Sequence, residues 1–354
     1  MVTHRAYGTP LPRLEAVEGA TQQSGRSGPG WKFWLRIGVS AGLLVLLVRN
    51  IPDLHDVFPE QHHLRTILLI GAAVVMTFVG IVLSAWRWQR VLVLFDVDVP
   101  LRTLTSHYLA GLFVGNVLPS TIGGDVVRVA RATNTTGSSA TAFASVVLER
   151  LTGMVALPLL VLIGFAFRPS QLNLDHAWIA LLVAGVTLGA LALVIVLAGH
   201  PRLAGRYADN TNWTRFIGAI HIGVDRMRRQ PGEALYVLVT AFTYQLSVVI
   251  SVLLIFRALD LPVPIAAGFA YIPAVSMVQV LPISLNGLGV REGMLVFLLT
   301  PLGVDRAPAV AAGLFWLFCT LVVSFAGAPM FAVGGRKARG EVESEGEPAA
   351  KGAG

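Results

Sequence analysis

Hydrophobic positions in this chain fall in long unbroken runs rather than in alternating or heptad patterns. Five runs, 66–85, 151–167, 177–198, 235–256 and 307–333, contain no charged residue. Each is about the length a helix needs to cross the roughly 30 Å hydrocarbon core of a bilayer, which takes about 20 residues. A sixth run, 31–48, carries Lys32 and Arg36 in its first turns. Arg49, Asn50 and Ile51 follow it with no small-residue cleavage site, so it reads as a retained helix rather than a signal peptide. Residues 1–30 and 334–354 read as disordered tails, the second containing the acidic stretch EVESEGE. The expectation is an all-α polytopic membrane domain over 31–333 with about six full spans.

Composition agrees with this reading. Of 354 residues, 55% are hydrophobic and 13% charged, about half the charge of a soluble domain. The single Cys319 excludes a disulfide framework. The net charge of +7 has a direction. Arg5, Arg13, Arg26, Lys32 and Arg36 precede the first run. Arg87, Arg90 and Arg102 follow the second, six arginines lie in 199–234, and Arg336, Lys337 and Arg339 close the last. The opposite loops hold few cations, so both termini are expected in the cytoplasm of a cell with this chain in its inner membrane. Nothing gathers the positive charge on a folded soluble domain, which argues against nucleic-acid binding.

Two further apolar regions fit no ordinary span. Residues 107–131 and 266–299 each read as a short apolar run, a proline, a glycine-rich segment, an arginine and a second apolar run. Proline removes a helix hydrogen bond and glycine permits a turn, so each is expected to be a helix broken within the membrane as a re-entrant hairpin. The two also match each other. NVLPSTIGGDVVR (116–128) aligns without gaps on QVLPISLNGLGVR (279–291), pairing Pro119 with Pro282, Gly124 with Gly287, Arg128 with Arg291 and Asn116 with Gln279. The spans beginning near 66 and 143 recur near 235 and 307. Two repeats, about 31–167 and 177–333, follow. With one hairpin entering from each side, they are inverted, an arrangement that places a binding site at their interface.

Non-helical backbone survives at membrane depth only where protein buries it or water reaches it, so Pro119–Gly124 and Pro282–Gly289 are expected to line a cavity. The half-helices that follow offer free amides and a positive dipole end, and Arg128 and Arg291 lie in about their first turns. An arginine fork suits phosphate oxygens, so the expected ligand is a membrane lipid with an anionic head group. Glu149 and Arg150 sit where charge is costly. Glu149 is read either as a clamp to an arginine or as a proton relay, Glu292 beside Arg291 likewise, and Asp125 as the cap of its own half-helix. The substrate-binding set is therefore Asn116, Pro119, Gly123, Gly124, Asp125, Arg128, Glu149, Arg150, Gln279, Pro282, Gly287, Gly289, Arg291 and Glu292. No catalytic residue, metal or cofactor is expected. His55, His62 and His63 lack the companion ligands of a metal site. Asp96 and Asp98 resemble an acidic pair of nucleotide-sugar transferases but occupy a short loop. Trp31, Trp86 and Trp88 read as interfacial anchors, and Cys319 as packing. No nucleotide-binding glycine loop, nucleophile elbow or HExxH is present.

The segments FVGNVLPSTIGGDVVRVAR, SVVLERLTG and LPISLNGLGVREG occur in that order. They resemble the signatures of the lysylphosphatidylglycerol synthase transmembrane family, also described as flippase-like or UPF0104. The resemblance covers about residues 35–333. It implies a polytopic bacterial or archaeal inner-membrane protein, and in the two-domain members this region moves an aminoacylated phospholipid to the outer leaflet. By motif it carries over Pro119, Gly123, Gly124, Asp125, Arg128, Glu149, Arg150, Pro282, Gly287, Gly289, Arg291 and Glu292. Those members continue into a soluble aminoacyltransferase. This sequence stops about 20 residues after its last apolar run, so it is not expected to make lysyl-lipid by itself. The cargo is expected to be an anionic, aminoacylated or polyprenyl-phosphate-linked lipid. Two alternatives compete with translocation: a membrane glycosyltransferase acting on polyprenyl phosphate, and a non-catalytic accessory that anchors a separate lipid synthase through 199–234.

Overall fold

The computed structural model describes residues 63–117, 123–173, 175–199, 214–281, 284 and 286–332. The run at 31–48, both tails, His55, His62, Pro119 and Pro282 lie outside the described residues. Among the described residues there are helices and no strands. They are α1 (His63–Leu94), α2 (Leu101–Val117), α3 (Gly123–Thr136), α4 (Ser139–Phe167), α5 (Ala177–Gly199), α6 (Thr214–Arg229), α7 (Pro231–Ala258), α8 (Ile265–Gln279), α9 (Val290–Leu299) and α10 (Arg306–Phe325). Five of them, α1, α4, α5, α7 and α10, are long and apolar enough to cross a membrane, and these are the five uncharged runs.

Helix α1 continues past the expected end at residue 85, because no glycine or proline lies between 86 and 95. It stops at Asp96, which takes the left-handed conformation (φ 59°) while the Val97 amide donates to Leu92 O, a helix-terminating motif. Helix α7 ends in the same way: Asp260 is left-handed (φ 51°) and the Leu261 amide donates to Phe256 O. Pro100 and Pro264 then precede α2 and α8. Asp96-Val97-Asp98-Val99-Pro100 and Asp260-Leu261-Pro262-Val263-Pro264 thus share their first residue, their last two and a backbone turn.

The two broken regions are helix pairs. Helices α2 and α3 pack against each other where Gly111 and Gly115 meet Gly124; a Cβ on Gly124 would lie 2.6 Å from Gly111 O. Backbones come this close only where the contacting residues are small. Helices α8 and α9 are joined through Asn286, Gly287 and Gly289, all at positive φ. Helix α4 begins at Ser138, whose hydroxyl accepts from the Thr141 amide.

Packing follows a rule of exchange. Helices α1 and α7 run along each other with the most extensive contact among the described helices. Around them, α2 pairs with α3 as α8 does with α9, and α3 with α4 as α9 does with α10. Across the middle, α4 packs on α8 as α10 does on α2, and α7 on α4 as α1 does on α10. Swapping the first four helices for α7–α10 leaves this neighbour list unchanged.

Two ends of the bundle differ in charge. At one, Arg226 pairs with Asp96, Arg90 with Glu233 (3.8 Å) and Arg131 donates to Met330 O (3.0 Å). At the other, Arg65 pairs with Asp260 (2.6 Å) and the His176 ring lies on Phe297. Between these ends, Leu182, Val186, Leu193 and Val196 of α5 and Leu64, Ile67, Leu68 and Val75 of α1 are mostly exposed. Such an apolar outer surface is what lipid, rather than water, stabilises. The basic stretch 199–234 is not loop throughout. Helix α6 buries Ala219 and Ile220 against α1 and α4 and leaves Arg228 and Arg229 exposed, so amphipathic spacing coexists with the charge.

Candidate functional site

Three helices bring charge into the arginine-rich half of the bundle. Glu149 of α4 is fully buried. Its Oε2 accepts from Arg128 of α3 at 3.0 Å, and its Oε1 accepts from Arg87 of α1. Ser84 Oγ lies within hydrogen-bond distance of both Glu149 Oε1 (3.2 Å) and the Tyr108 hydroxyl (2.8 Å). The Arg128 guanidinium is held between two rings, 4.1 Å from the Tyr108 centroid and 4.4 Å from Trp88. Asp125 faces Arg128 at 3.5 Å and makes a forked pair with Arg150 at 2.6 and 2.7 Å. Arg87 finds space because position 153 is glycine: a Cβ there would lie 2.6 Å from Arg87 Nη1. Arg87, Arg128 and Arg150 against Glu149 and Asp125 leave one positive charge in excess. Arg87 Nε and Nη1 and Arg128 Nε are buried with no hydrogen-bond partner among the described residues, a costly state in a low-dielectric interior.

The second hairpin solves the same problem differently. Arg291 is buried, and its Nε and Nη2 donate to Glu292 Oε1 at 3.0 and 2.6 Å. Glu292 Oε2 accepts from the Gly289 amide at 2.6 Å, capping α9. The Arg291 guanidinium stands 5.8 Å from the Trp316 ring of α10. The spacing that relates residue 143 to 307 sets Glu149 opposite Gly313. A Cβ on Gly313 would lie 2.9 Å from Glu292 Cγ. In one half the carboxylate comes from the span, and in the other from the hairpin helix into space left by a glycine of the span.

A cavity of about 250 Å³ separates the two sets. Its wall comes from α1, α2, α4, α7, α8 and α10, and includes Thr77, Tyr108, Tyr244, Gln245, Ser276 and Gln279. Among the described residues no charged side chain lines it. Asn286 Nδ2 donates to Asn116 Oδ1 at 2.8 Å, tying the end of α2 to the α8–α9 turn.

The sequence-derived residues therefore separate into groups. Asp125, Arg128, Glu149 and Arg150 meet in one cluster. Arg291, Glu292 and Gly289 form a second, with Gly287 packed on Gln279 (2.9 Å from a Cβ). Gln279 reaches the cavity, and Asn116 bridges the hairpins. Gly124 serves the α2–α3 contact and Gly123 begins α3. Asp125 lies in the first turn of α3 and pairs with arginines. Sequence reasoning missed Arg87, Ser84, Tyr108 and Tyr244. Arg87 had counted as a loop cation and Trp88 as an interfacial anchor. The signal was the absence of glycine and proline between 81 and 95, which keeps Ser84, Arg87 and Trp88 on neighbouring turns of one helix.

Comparison with known proteins adds a family. Residues 33–327 match the family described as lysylphosphatidylglycerol synthase TM region. A "UPF0104 membrane protein" from Methanothermobacter thermautotrophicus is 25% identical over 322 residues, covering 81% of this chain and 92% of that protein. No solved structure matches.

Proposed function

We propose that this chain, which belongs to the lysylphosphatidylglycerol synthase TM-region family, is a lipid translocase of the cytoplasmic membrane with both termini in the cytoplasm. Its cargo is a lipid with an anionic head group. The observation that carries this reading is a cavity of mixed apolar and uncharged polar lining, walled by both groups of helices, with a buried arginine–carboxylate set on either side of it.

Several features support inverted repeats. The exchange rule in the packing, the matching hairpins and the shared Asp96 and Asp260 turns all relate α1–α4 to α7–α10. The arginine-rich end faces the cytoplasm on the positive-inside rule. In the closed arrangement Arg128 and Arg291 are neutralised by Glu149 and Glu292. A lipid phosphate is a competing partner of better fork geometry, and alternating exposure of the two halves carries it across. The excess positive charge lies on the cytoplasmic side, where the unpartnered Arg87 and Arg128 nitrogens supply donors. With no ATPase motif in the sequence, the movement is passive or ion-coupled.

The test is full-length protein in liposomes containing a head-group-labelled anionic phospholipid, with leaflet-selective quenching. The wild type is expected to accelerate exchange, and Arg128→Ala and Arg291→Ala to reduce it by about tenfold or more, the effect of losing a charge-assisted contact. If the protein moves no anionic lipid, translocation is refuted; if it does and both variants match wild type, the role given to Arg128 and Arg291 is refuted.

A further inference from the structure

The cavity wall contains three large aromatic side chains, Tyr108, Tyr244 and Trp316. Each is faced by a different buried arginine: Arg128 at 4.1 Å from the Tyr108 centroid, Arg87 at 4.9 Å from Tyr244 and Arg291 at 5.8 Å from Trp316. The cavity is uncharged at its surface, yet three guanidinium groups stand one layer behind it. Glu149 and Glu292 neutralise two of them, leaving a net charge of +1. Aromatic rings ordinarily attract cations. Here each ring already has an arginine against it, and a further cation is opposed by the same charge.

The serine and threonine hydroxyls in the wall have a common orientation. Ser276 donates to Ile272 O at 2.9 Å, Ser251 to Ala73 O at 2.9 Å, Ser247 to Tyr244 O at 2.6 Å and Thr320 to Trp316 O at 3.0 Å. With each proton given to backbone, the oxygen lone pairs are what these groups have left to offer, so this side of the wall accepts hydrogen bonds from its occupant, while the Tyr108 and Tyr244 hydroxyls and the Gln279 amide can also donate. Ligand hydroxyls supply donors without positive charge, whereas an ammonium supplies donors with it.

We propose that this cavity takes the hydroxyl-bearing, non-cationic head group of an anionic lipid, a glycerol or sugar phosphodiester, and rejects an aminoacylated, cationic one. This rests on the translocase reading and names the substrate class within it. The family name points to lysyl-lipid, whose ammonium groups meet three backing arginines here and, among the described residues, no acidic side chain in the wall.

The experiment is native mass spectrometry of the purified full-length chain titrated separately with four lipids: phosphatidylglycerol, a glycosylated polyprenyl phosphate, phosphatidic acid and lysylphosphatidylglycerol. At least one of the first two is expected to bind about tenfold or more tighter than lysylphosphatidylglycerol, since a unit like charge held across a ring in a low-dielectric site costs at least that factor. It is also expected to exceed phosphatidic acid, which lacks the hydroxyls, and the tighter of the two identifies the source. Gln279→Leu and Thr320→Val are expected to reduce the preference over phosphatidic acid severalfold, and Arg87→Gln to relax the rejection of lysylphosphatidylglycerol. Equal or tighter binding of lysylphosphatidylglycerol overturns the proposal. So does equal binding of phosphatidic acid, or a preference that Gln279→Leu and Thr320→Val leave intact. A chain that shows the preference but moves no lipid in liposomes refutes translocation and leaves this selectivity standing. One that moves all four lipids alike refutes the selectivity and leaves translocation standing.

Discussion

Replacing Glu149 by Gln isolates the charge at the centre of the first cluster. The amide keeps the size and shape of the side chain and removes its negative charge. Both carboxylate oxygens are engaged, by Arg87 and by Arg128 at 3.0 Å, and all three side chains are at most 4% exposed. The variant leaves two guanidinium groups facing each other with only an amide between them. Removing one partner of a buried ion pair costs about 3–5 kcal/mol, because the remaining charge stays desolvated. The internal control is Asp260→Asn, which breaks the Arg65 pair at the opposite end. There the side chains are 51% and 43% exposed, and such a pair contributes about 0.2–1 kcal/mol. Equilibrium unfolding by SDS in mixed micelles, followed by tryptophan fluorescence, measures both. The expected ranking is Glu149→Gln far below Asp260→Asn, with the latter near wild type. If Glu149→Gln lies within about 1 kcal/mol of wild type, the clamp is refuted and the proton-relay reading of Glu149 gains.

Two other predictions concern the relation between the halves. In a Cys319→Ser background, Asp260→Cys is expected to react with a membrane-impermeant maleimide in intact cells and Asp96→Cys only after permeabilisation, since both side chains are accessible (43% and 71% exposed) at opposite ends; the same labelling side for both sinks the inverted arrangement. A mutant cycle moves the carboxylate of the second half to the position it occupies in the first: Glu292→Val and Gly313→Glu are each expected to destabilise, and the double variant to recover about 1 kcal/mol or more relative to their sum, in the range of coupling between contacting residues. Additive SDS unfolding energies would mean that Gly313 is not the counterpart of Glu149.

Much of the fold was legible because a membrane imposes it. Uncharged runs had to be spanning helices, and Pro119, Pro282 and the glycines around 123–124 and 287–289 marked where helices break. Asn286, Gly287 and Gly289 at positive φ bear out the second of these breaks. The partnership of charges was less legible. Arg128 and Arg291 align in sequence, but their carboxylates do not: Glu149 lies 21 residues after Arg128, while Glu292 is the next residue after Arg291. Alignment finds positions, and here the compensating charge changed position. Arg87 was hidden for another reason. A cation near the end of an apolar run is ordinarily placed at the membrane surface, and only the continuation of α1 to Leu94 turns it inward. The amphipathic α6 escaped because a stretch rich in arginine reads as loop when charge is counted without its spacing.

The unequal placement of the two carboxylates has a mechanical consequence. Arg128 lies on α3, Glu149 on α4 and Arg87 on α1, so the first cluster ties three helices together, and Arg150 with Asp125 adds a second link between α3 and α4. Any displacement of α3 relative to α4 must separate buried opposite charges. Arg291 and Glu292 both lie on α9, and Glu292 also caps that helix. Helix α9 can therefore shift against α10 with its ion pair intact. What holds α9 to α10 at this level is the Trp316 ring 5.8 Å from Arg291 and the close approach of Glu292 to Gly313, neither of which is an ion pair. Two hairpins that share sequence and packing are thus fastened with different strength. The first is pinned by charges that cross between helices, and the second is held chiefly by apolar packing, which a lipid bilayer does far less to enforce than water does.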